Sequence, residues 1–339
     1  MTTHACGPSI DGVLVQWGER LFYPASRIVR PVPPARLNTM TRRKAAVIRQ
    51  RIYATVVRRA PQVMVKVTGG GRGMGAIAAH FRYISKNGRL GIEDDRGVVI
   101  DGKDAVPELV EQWRNGGSLI PEVSHRREAF NIMLSMPHGT DAQFVLKAAR
   151  EFAKTELSGH RYVMVLHQHQ ANPHVHLSVR AESTSGTRLN PRKADLHRWR
   201  ETFAERLRGW GVQAEATRQA TRGAVRNFDP IWRVKAGQEG RLRESGEQLK
   251  SGEPFQRNRN GALQAWANIA QALETSADAQ DRALAESIRK FALGSAYLRQ
   301  VAQQRTRGQR EVSTVSRERV AGTHPLQLVK STSEPEIER

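Results

Sequence analysis

Residues 162–182 read YVMVLHQHQANPHVHLSVRAE, with two apolar-rich runs on either side of the polar tetrapeptide QANP at 170–173. Two such runs joined by a short connection that ends in proline are typical of paired antiparallel strands. Side chains alternate between the faces of a strand, so His174 and His176 share one face while Val175 and Leu177 share the other. The sequence therefore predicts a β-hairpin with an apolar face for packing under helices and a second face rich in histidine.

Histidine is concentrated in this hairpin, where four of the eleven histidines of the chain lie within ten residues: His167, His169, His174 and His176. Folding the two strands together brings His167 opposite the pair on the second strand. Neutral imidazole binds divalent transition metals, and three protein ligands leave coordination positions open, as at catalytic ions. Hydrogen-bonded histidines on a half-exposed strand are the alternative, and their clustering argues against it. The hairpin therefore predicts a metal site held by His167, His174 and His176.

The charge of the chain favours a polyanionic partner. Lysine and arginine number 54 against 33 aspartate and glutamate residues, which gives a net charge of +21. Such a field suits nucleic acid or an anionic membrane. No apolar run approaches the roughly 20 residues needed to span a bilayer, and the first residues lack the pattern of a signal peptide. With Cys6 as the single cysteine, these features favour nucleic acid as the partner and a cytoplasmic location.

Upstream of the hairpin, the sequence predicts a strand over 63–67, the glycine-rich turn GGGRGMG at 69–75, and a helix over about 74–86. The glycine spacing fits neither a P-loop nor GxGxxG, which favours a flexible connection whose amides could meet a DNA phosphate. At about 100° per residue, Tyr83 points away from the apolar stripe of the helix, with Lys86 as the nearest cation. The stripe consists of Met74, Ile77, Ala78, Phe81 and Ile84.

Four segments resemble the plasmid-mobilisation relaxases, which are single-strand DNA endonucleases of the His-hydrophobe-His (HUH) type. NPHVH at 172–176, with a histidine seven residues before His174, is similar to their third motif, and HFRYISKNGRL at 80–90 is similar to the motif of their nucleophile. AFNIMLSMPHGTD at 129–141 resembles their second motif, and EATRQATRG at 215–223 resembles the end of their domain. Within the family, the T-DNA border endonuclease subgroup is the most similar. The resemblance extends from Val63 to Gly223.

This resemblance implies a function. Tyr83 would be the catalytic nucleophile that attacks a phosphodiester in single-stranded DNA at an origin of transfer and retains the 5′ phosphate as a covalent phosphotyrosine. The metal at His167, His174 and His176 would be a divalent ion, Mg or Mn, with Zn as an alternative. The implied partners are single-stranded origin DNA, relaxosome accessory proteins and the coupling protein of a type IV secretion system.

The chain departs from the family pattern at two places. An acidic residue is common two positions after the first histidine, where this chain has His169. The family also has an asparagine after the HUH pair, where this chain offers Ser178 and Arg180. An acidic group that orients a metal ligand must then come from elsewhere, and Glu108 and Glu111 are the candidates.

The fold expected is α+β, an antiparallel sheet of about five strands with helices packed on one face and the site on the other, followed by a helical C-terminal region. The expected divisions are a basic extension (1–60), the nuclease domain (61–225), a linker (226–260), a helical region (261–304) and a disordered tail (305–339).

Basic residues around these motifs are expected to contact the DNA backbone. The candidates are Lys86, Arg180, Arg192, Lys193, Arg218 and Arg222.

Three other functions compete with the relaxase. A replication initiator of the HUH type places its histidine motif before the tyrosine, the reverse of the order here. A metal-dependent hydrolase would use bound water and leave no protein on the DNA. A non-catalytic DNA-binding component of a transfer complex would bind origin DNA and never nick it.

Overall fold

The computed structural model describes residues 9–23, 38–168, 172–225, 236–237, 240–241, 252–304 and 306. The strands are β1 (Met64–Gly69), β2 (Ile92–Asp94), β3 (Val99–Ile100), β4 (Ala129–Ser135), β5 (Tyr162–His167) and β6 (His174–Arg180). The helices are α1 (Ile10–Phe22), α2 (Thr39–Val56), α3 (Met74–Ile84), α4 (Ala105–Asn115), α5 (Ala142–Glu156), α6 (Lys193–Gly209), α7 (Glu253–Glu274) and α8 (Ala279–Leu293).

The six strands form one sheet in the order β1-β4-β6-β5-β2-β3, and every neighbouring pair is antiparallel. The predicted hairpin is its centre, with His167 opposite His174 and Val165 opposite His176. The start of β6 is held at the end of β4, where the amide of Met136 donates to the carbonyl of Pro173 at 3.1 Å. The antiparallel pairing therefore places all three predicted ligands at one end of two adjacent strands.

Helices cover the two faces of the sheet unequally. Below the apolar face, α5 and α6 pack Phe152, Trp199 and Phe203 against Leu177 and its neighbours. On the opposite face, α3 and α4 form a smaller core over the β5 side of the sheet, with Phe81 and Trp113 in edge-to-face contact at 4.9 Å. The histidines belong to this second face.

A third core joins helices from both ends of the chain. It contains the apolar faces of α1, α2, α7 and α8, with Phe22 and Trp266 in edge-to-face contact at 6.2 Å. Arg49 of α2 donates to Asp11 at 2.7 Å and to Asp281 at 3.0 Å, which ties α2 to α1 and α8. The elements of this helical cluster flank the sheet in sequence on both sides.

The contacts within the chain define two units, residues 1–222 with 251–292 and residues 223–250 with 293–339. The sheet and the three cores lie in the first unit. In the second unit, the described residues include a helical stretch over 296–304, near whose start the amide of Tyr297 donates to the carbonyl of Gly223 at 3.0 Å.

The predicted α+β class with an antiparallel sheet is confirmed, with six strands where about five were expected and with α3 and α4 on the histidine-bearing face as well. The prediction did not include α1. Helix α7 begins at Glu253, inside the segment predicted as a linker, while most of that segment and all of the predicted tail except Thr306 lie outside the described residues. None of the helices in the described part of the chain combines the length and apolar composition needed to cross a bilayer.

Candidate active site

Three imidazole rings converge at the end of the central hairpin. The ring centroid of His167 lies 5.0 Å from that of His174 and 4.7 Å from that of His176, and the last two are 4.9 Å apart. One nitrogen from each ring can be chosen so that all three lie within 4.8 Å of one another. All three side chains are buried. This arrangement is that of a metal site with three nitrogen ligands.

Backbone carbonyls fix the tautomers of two of these rings. Nε2 of His167 donates to the carbonyl of Ile84 at 2.7 Å, and Nδ1 of His174 donates to the carbonyl of Asn172 at 2.9 Å. Each bond assigns the proton to one nitrogen and the lone pair to the other, Nδ1 of His167 and Nε2 of His174. Metal-binding histidines are commonly oriented by such bonds from the second nitrogen. The carbonyl of Ile84 follows Tyr83 directly, so the helix that carries the tyrosine also orients His167, one of the three candidate metal ligands.

The cluster holds His176 in the neutral form that binds metal. Burial, together with the neighbouring imidazoles of His167, His174 and His80, lowers the pKa of His176 to about 3. Nδ1 of His176 is buried without a hydrogen-bond partner. A buried polar atom without a partner is unfavourable unless a water or ion satisfies it, and this supports the fit of a divalent cation to the cluster.

The expectation of an acidic orienting group at Glu108 or Glu111 is wrong. Glu108 accepts from Gln112 at 3.2 Å and Glu111 pairs with Arg114 at 3.3 Å, both on the exposed side of α4. The carbonyls of Ile84 and Asn172 act in place of a carboxylate. His169, which could be a metal ligand, a group that orients a ligand or a sign of weakened activity, lies outside the described residues.

Tyr83 lies beside the imidazole cluster. Its ring centroid is 6.3 Å from that of His176, and 58% of the side chain is exposed, as its position opposite the apolar stripe of α3 predicted. Lys86, expected on the same face, follows the end of α3 in a left-handed conformation (φ 51°) with its side chain exposed. The helix and the hairpin therefore bring together a phenol and three imidazoles that are more than eighty residues apart in sequence.

A fourth histidine, which the sequence analysis did not identify, lies next to both groups. The ring of His80 is stacked on that of Tyr83 with centroids 6.2 Å apart and contacts that of His176 edge-on at 6.4 Å. Burial lowers the pKa of His80 to about 4. The available signal was its spacing of three residues from Tyr83, which places the two side chains on neighbouring positions of one helical face.

Backbone amides of the glycine-rich turn before α3 are hydrogen-bonded to carbonyls of the protein itself. The amide of Met74 donates to the carbonyl of Pro121 at 2.9 Å and that of Gly71 donates to Ala129 at 3.1 Å. A Cβ on Gly73, whose φ is 100°, would lie 2.3 Å from the carbonyl oxygen of Glu122. The glycines therefore allow close approach of the segment 121–129, and these amides do not face a phosphate.

Three of the arginines expected on the DNA backbone bind protein carbonyls instead. Arg180 is 3% exposed, and its Nη1 donates to the carbonyls of Trp113 at 2.9 Å and Gly116 at 2.8 Å. Arg218 donates to Leu21 at 3.3 Å, and Arg222 donates to Ala60 at 2.7 Å. Burial lowers the pKa of all three guanidinium groups. These donors hold the fold together, and the burial of Arg180 leaves it no surface for a DNA contact, whereas Arg218 and Arg222 are half-buried and stay predictions as DNA contacts.

The exposed members of that set lie at two different places. Arg192 and Lys193 begin α6, a helix packed on the face of the sheet opposite the histidines. Lys86 remains near the site through its position just after α3. These residues stay predictions as DNA contacts.

An open part of the sheet extends from the histidines toward β1. Met133 pairs with His176 across β4 and β6, and Lys66 pairs with Met133 across β1 and β4, so the three side chains share one face. Lys66 and Thr68 are exposed, and Asn131 is half-buried. Two strand spacings place Lys66 about 10 Å from His176. An open lane, with Lys66 at one side and Met133 between it and His176, therefore leads along the face to the imidazole cluster, and the sequence analysis did not identify it.

Comparison with known proteins finds one family model that matches this part of the chain. Residues 83–212 match the family model described as relaxase, MobA/VirD2-like, nuclease domain. A search of curated proteins found no match. The match begins at Tyr83 and includes all three histidines of the cluster. The predicted resemblance to plasmid-mobilisation relaxases is confirmed for this segment, and the T-DNA border subgroup stays a prediction.

Proposed function

We propose that this chain, in which residues 83–212 form a MobA/VirD2-like relaxase nuclease domain, nicks one strand of DNA at an origin of transfer by attack of Tyr83 on a phosphodiester. The observation that carries the proposal is the position of the Tyr83 ring, 6.3 Å from that of His176 and partly exposed beside the three-histidine cluster. An exposed phenol at a buried cation site is the arrangement that metal-assisted transesterification requires.

In the proposed reaction the Tyr83 hydroxyl oxygen forms a bond to phosphorus as the bond between phosphorus and the 3′ oxygen breaks. The phenol proton leaves, the released 3′ oxygen takes up a proton, and the 5′ phosphate stays on the tyrosine. A divalent ion held by His167, His174 and His176, of which Mg and Mn are the first candidates, would supply positive charge against the phosphate oxygens. Because the phosphodiester energy is retained, the same residues can reseal the strand.

The substrate is single-stranded or locally melted DNA, because attack requires the phosphate to lie in line with Tyr83. The open lane from Lys66 past Asn131 to His176 is a route for such a strand on the face that carries the cluster. The wider proposal includes transfer by conjugation, with relaxosome accessory proteins and a type IV coupling protein as partners and with a cytoplasmic location.

This mechanism is tested with end-labelled DNA, because only the fragment on the 3′ side of the nick should stay attached to the protein. Single-stranded oligonucleotides tiling the DNA beside the coding gene are labelled at the 3′ end and incubated with protein and Mg or Mn. We expect a band on a denaturing gel at the mass of protein plus DNA, absent with Tyr83→Phe, while Tyr53→Phe, a substitution at an exposed tyrosine of α2, serves as the control.

Two of the three competing functions, the hydrolase and the non-catalytic DNA-binding component, give a different result in this experiment. Shortened DNA without a protein adduct would indicate a hydrolase, and binding without cleavage at any metal concentration would indicate a non-catalytic component. An adduct that persists in Tyr83→Phe would overturn the assignment of the nucleophile. With a 5′ label, the proposed reaction releases a free fragment that ends in a 3′ hydroxyl.

A further inference from the structure

The proposed nucleophile belongs to a trio of neighbouring aromatic rings. His80, Tyr83 and His176 lie at nearly equal centroid separations of 6.2 Å, 6.3 Å and 6.4 Å. The rings of His80 and Tyr83 are close to parallel at 28°, and both meet His176 nearly edge-on, at 77° and 79°. His80 precedes the segment matched by the relaxase family model, which begins at residue 83.

The side chain of Tyr83 is largely exposed, so neighbouring rings are needed to restrain its rotation. With 58% of the side chain exposed, its ring could turn about the first two side-chain bonds into solvent. Ordering a free side chain opposes the reaction entropically, and a displacement of about 1 Å from the attacking geometry can lower a rate about 100-fold. The neighbouring rings of His80, nearly parallel to the phenol, and of His176, nearly perpendicular to it, reduce the positions that the phenol ring can occupy.

The contribution of His80 comes from its ring. Nε2 of His80 is buried and has no hydrogen-bond partner, so this nitrogen does not attach the side chain to the fold. The apolar stripe of α3, which includes Phe81 and Ile84, packs in the core. His80 lies beside this stripe and is half-buried, because its ring contacts that of His176 on the sheet. A flat uncharged ring fills the space between helix and cluster.

We propose that His80 is a positioning residue, whose ring stacks on Tyr83 and keeps the phenol beside His176 for attack. The inference rests on the proposed function of Tyr83 as nucleophile. Its role is to reduce the freedom of the nucleophile, and it is not among the three histidines whose nitrogens lie close enough together to hold a metal ion. It follows that cleavage and resealing, which pass through the same transition state, depend on His80 to the same extent.

The test compares His80→Ala, which removes the ring, with His80→Phe, which keeps a ring without nitrogen. His125→Ala, at an exposed histidine, is the matched control. With saturating single-stranded DNA and Mn, we expect His80→Ala to lower the single-turnover cleavage rate 10- to 100-fold. The joining rate should fall by the same factor, while DNA affinity and Mn affinity stay unchanged. His80→Phe should restore most of the loss.

Three results would overturn the inference. They are a His80→Ala cleavage rate equal to that of the control, a loss of cleavage without an equal loss of joining, and a His80→Phe rate as low as that of His80→Ala. The last result would show that a nitrogen is needed in place of a ring. Thermal unfolding of each variant identifies any that fail to fold, and His80→Phe then carries the test.

A second measurement separates this inference from the proposed function. The NMR signals of the Tyr83 ring, assigned by their absence in Tyr83→Phe, should shift in His80→Ala because the ring current of the stacked imidazole is lost. If the native protein never forms an adduct but this shift occurs, the proposed function fails while the packing holds. An unchanged Tyr83 signal would refute the positioning role whatever the activity.

Discussion

Replacement of Arg180 by alanine should destabilise the fold and leave direct DNA contacts intact. The guanidinium group is buried and donates to the carbonyls of Trp113, Gly116 and Ser118, which end α4 and begin the following loop. Its loss leaves three carbonyls without this partner, each worth about 1 kcal/mol, so the free energy of unfolding should fall by about 3 kcal/mol. Lys193→Ala, at an exposed cation, should change it by less than about 0.5 kcal/mol.

Urea unfolding followed by circular dichroism measures both variants, and a salt titration of DNA binding separates the two roles. Arg180→Lys provides a second variant, because one ammonium group cannot reach all three carbonyls and should lose about 2 kcal/mol. A phosphate contact would instead leave stability unchanged and reduce the slope of log affinity against log salt by about 1. Native-like unfolding of Arg180→Ala together with a reduced slope would refute the structural role.

Three further predictions concern the site, the glycine-rich turn and the helical cluster. Mn at 100 times its dissociation constant should raise the free energy of unfolding by about 2.7 kcal/mol, and a variant with alanine at His174 and His176 should show no such rise in a melt with Mn or EDTA. Gly73→Ala should lower thermal stability by more than about 1 kcal/mol, because φ is 100° and the Cβ meets a carbonyl at 2.3 Å, whereas an unchanged midpoint would show that the turn can relax. Burial lowers the pKa of His197 to about 4, and Arg200, Arg51 and Arg218 lower it in the same direction, so the unfolded state binds a proton first as pH falls below about 6.5. Stability should therefore fall between pH 7 and pH 5 by up to about 2 kcal/mol, and His197→Gln should remove that part of the fall in urea titrations at the two pH values.

The hairpin could be predicted because its signals are local. Alternation of period two and the proline-ended connection fix the register, and the register alone places His167 opposite His174. The orientation of Tyr83 followed from helical geometry in the same way. Short strands gave no such signal, since β2 (Ile92–Asp94) is largely acidic and β3 (Val99–Ile100) has two residues. The sheet therefore has six strands where about five were expected.

Tertiary contacts decided the features that the sequence did not reveal. Alternation along β6 places Arg180 on the histidine-bearing face, yet only the fold shows that the end of α4 covers that part of the face. The same holds for α1, whose apolar stripe packs mainly against α7, more than 200 residues later. The position of His80 between Tyr83 and His176 could be recognised only once the fold placed α3 beside β6. In each case a residue's role depends on a segment distant in sequence.

The helical cluster of α1, α2, α7 and α8 has a consequence for protein synthesis. The ion pair between Arg49 and Asp281 joins residues 232 positions apart. At translation rates of about 5 to 20 residues per second, α2 leaves the ribosome roughly 10 to 50 seconds before its partner on α8 exists. During that interval the apolar faces of α1 and α2 are exposed on the nascent chain, where a chaperone can bind them until the last helices emerge.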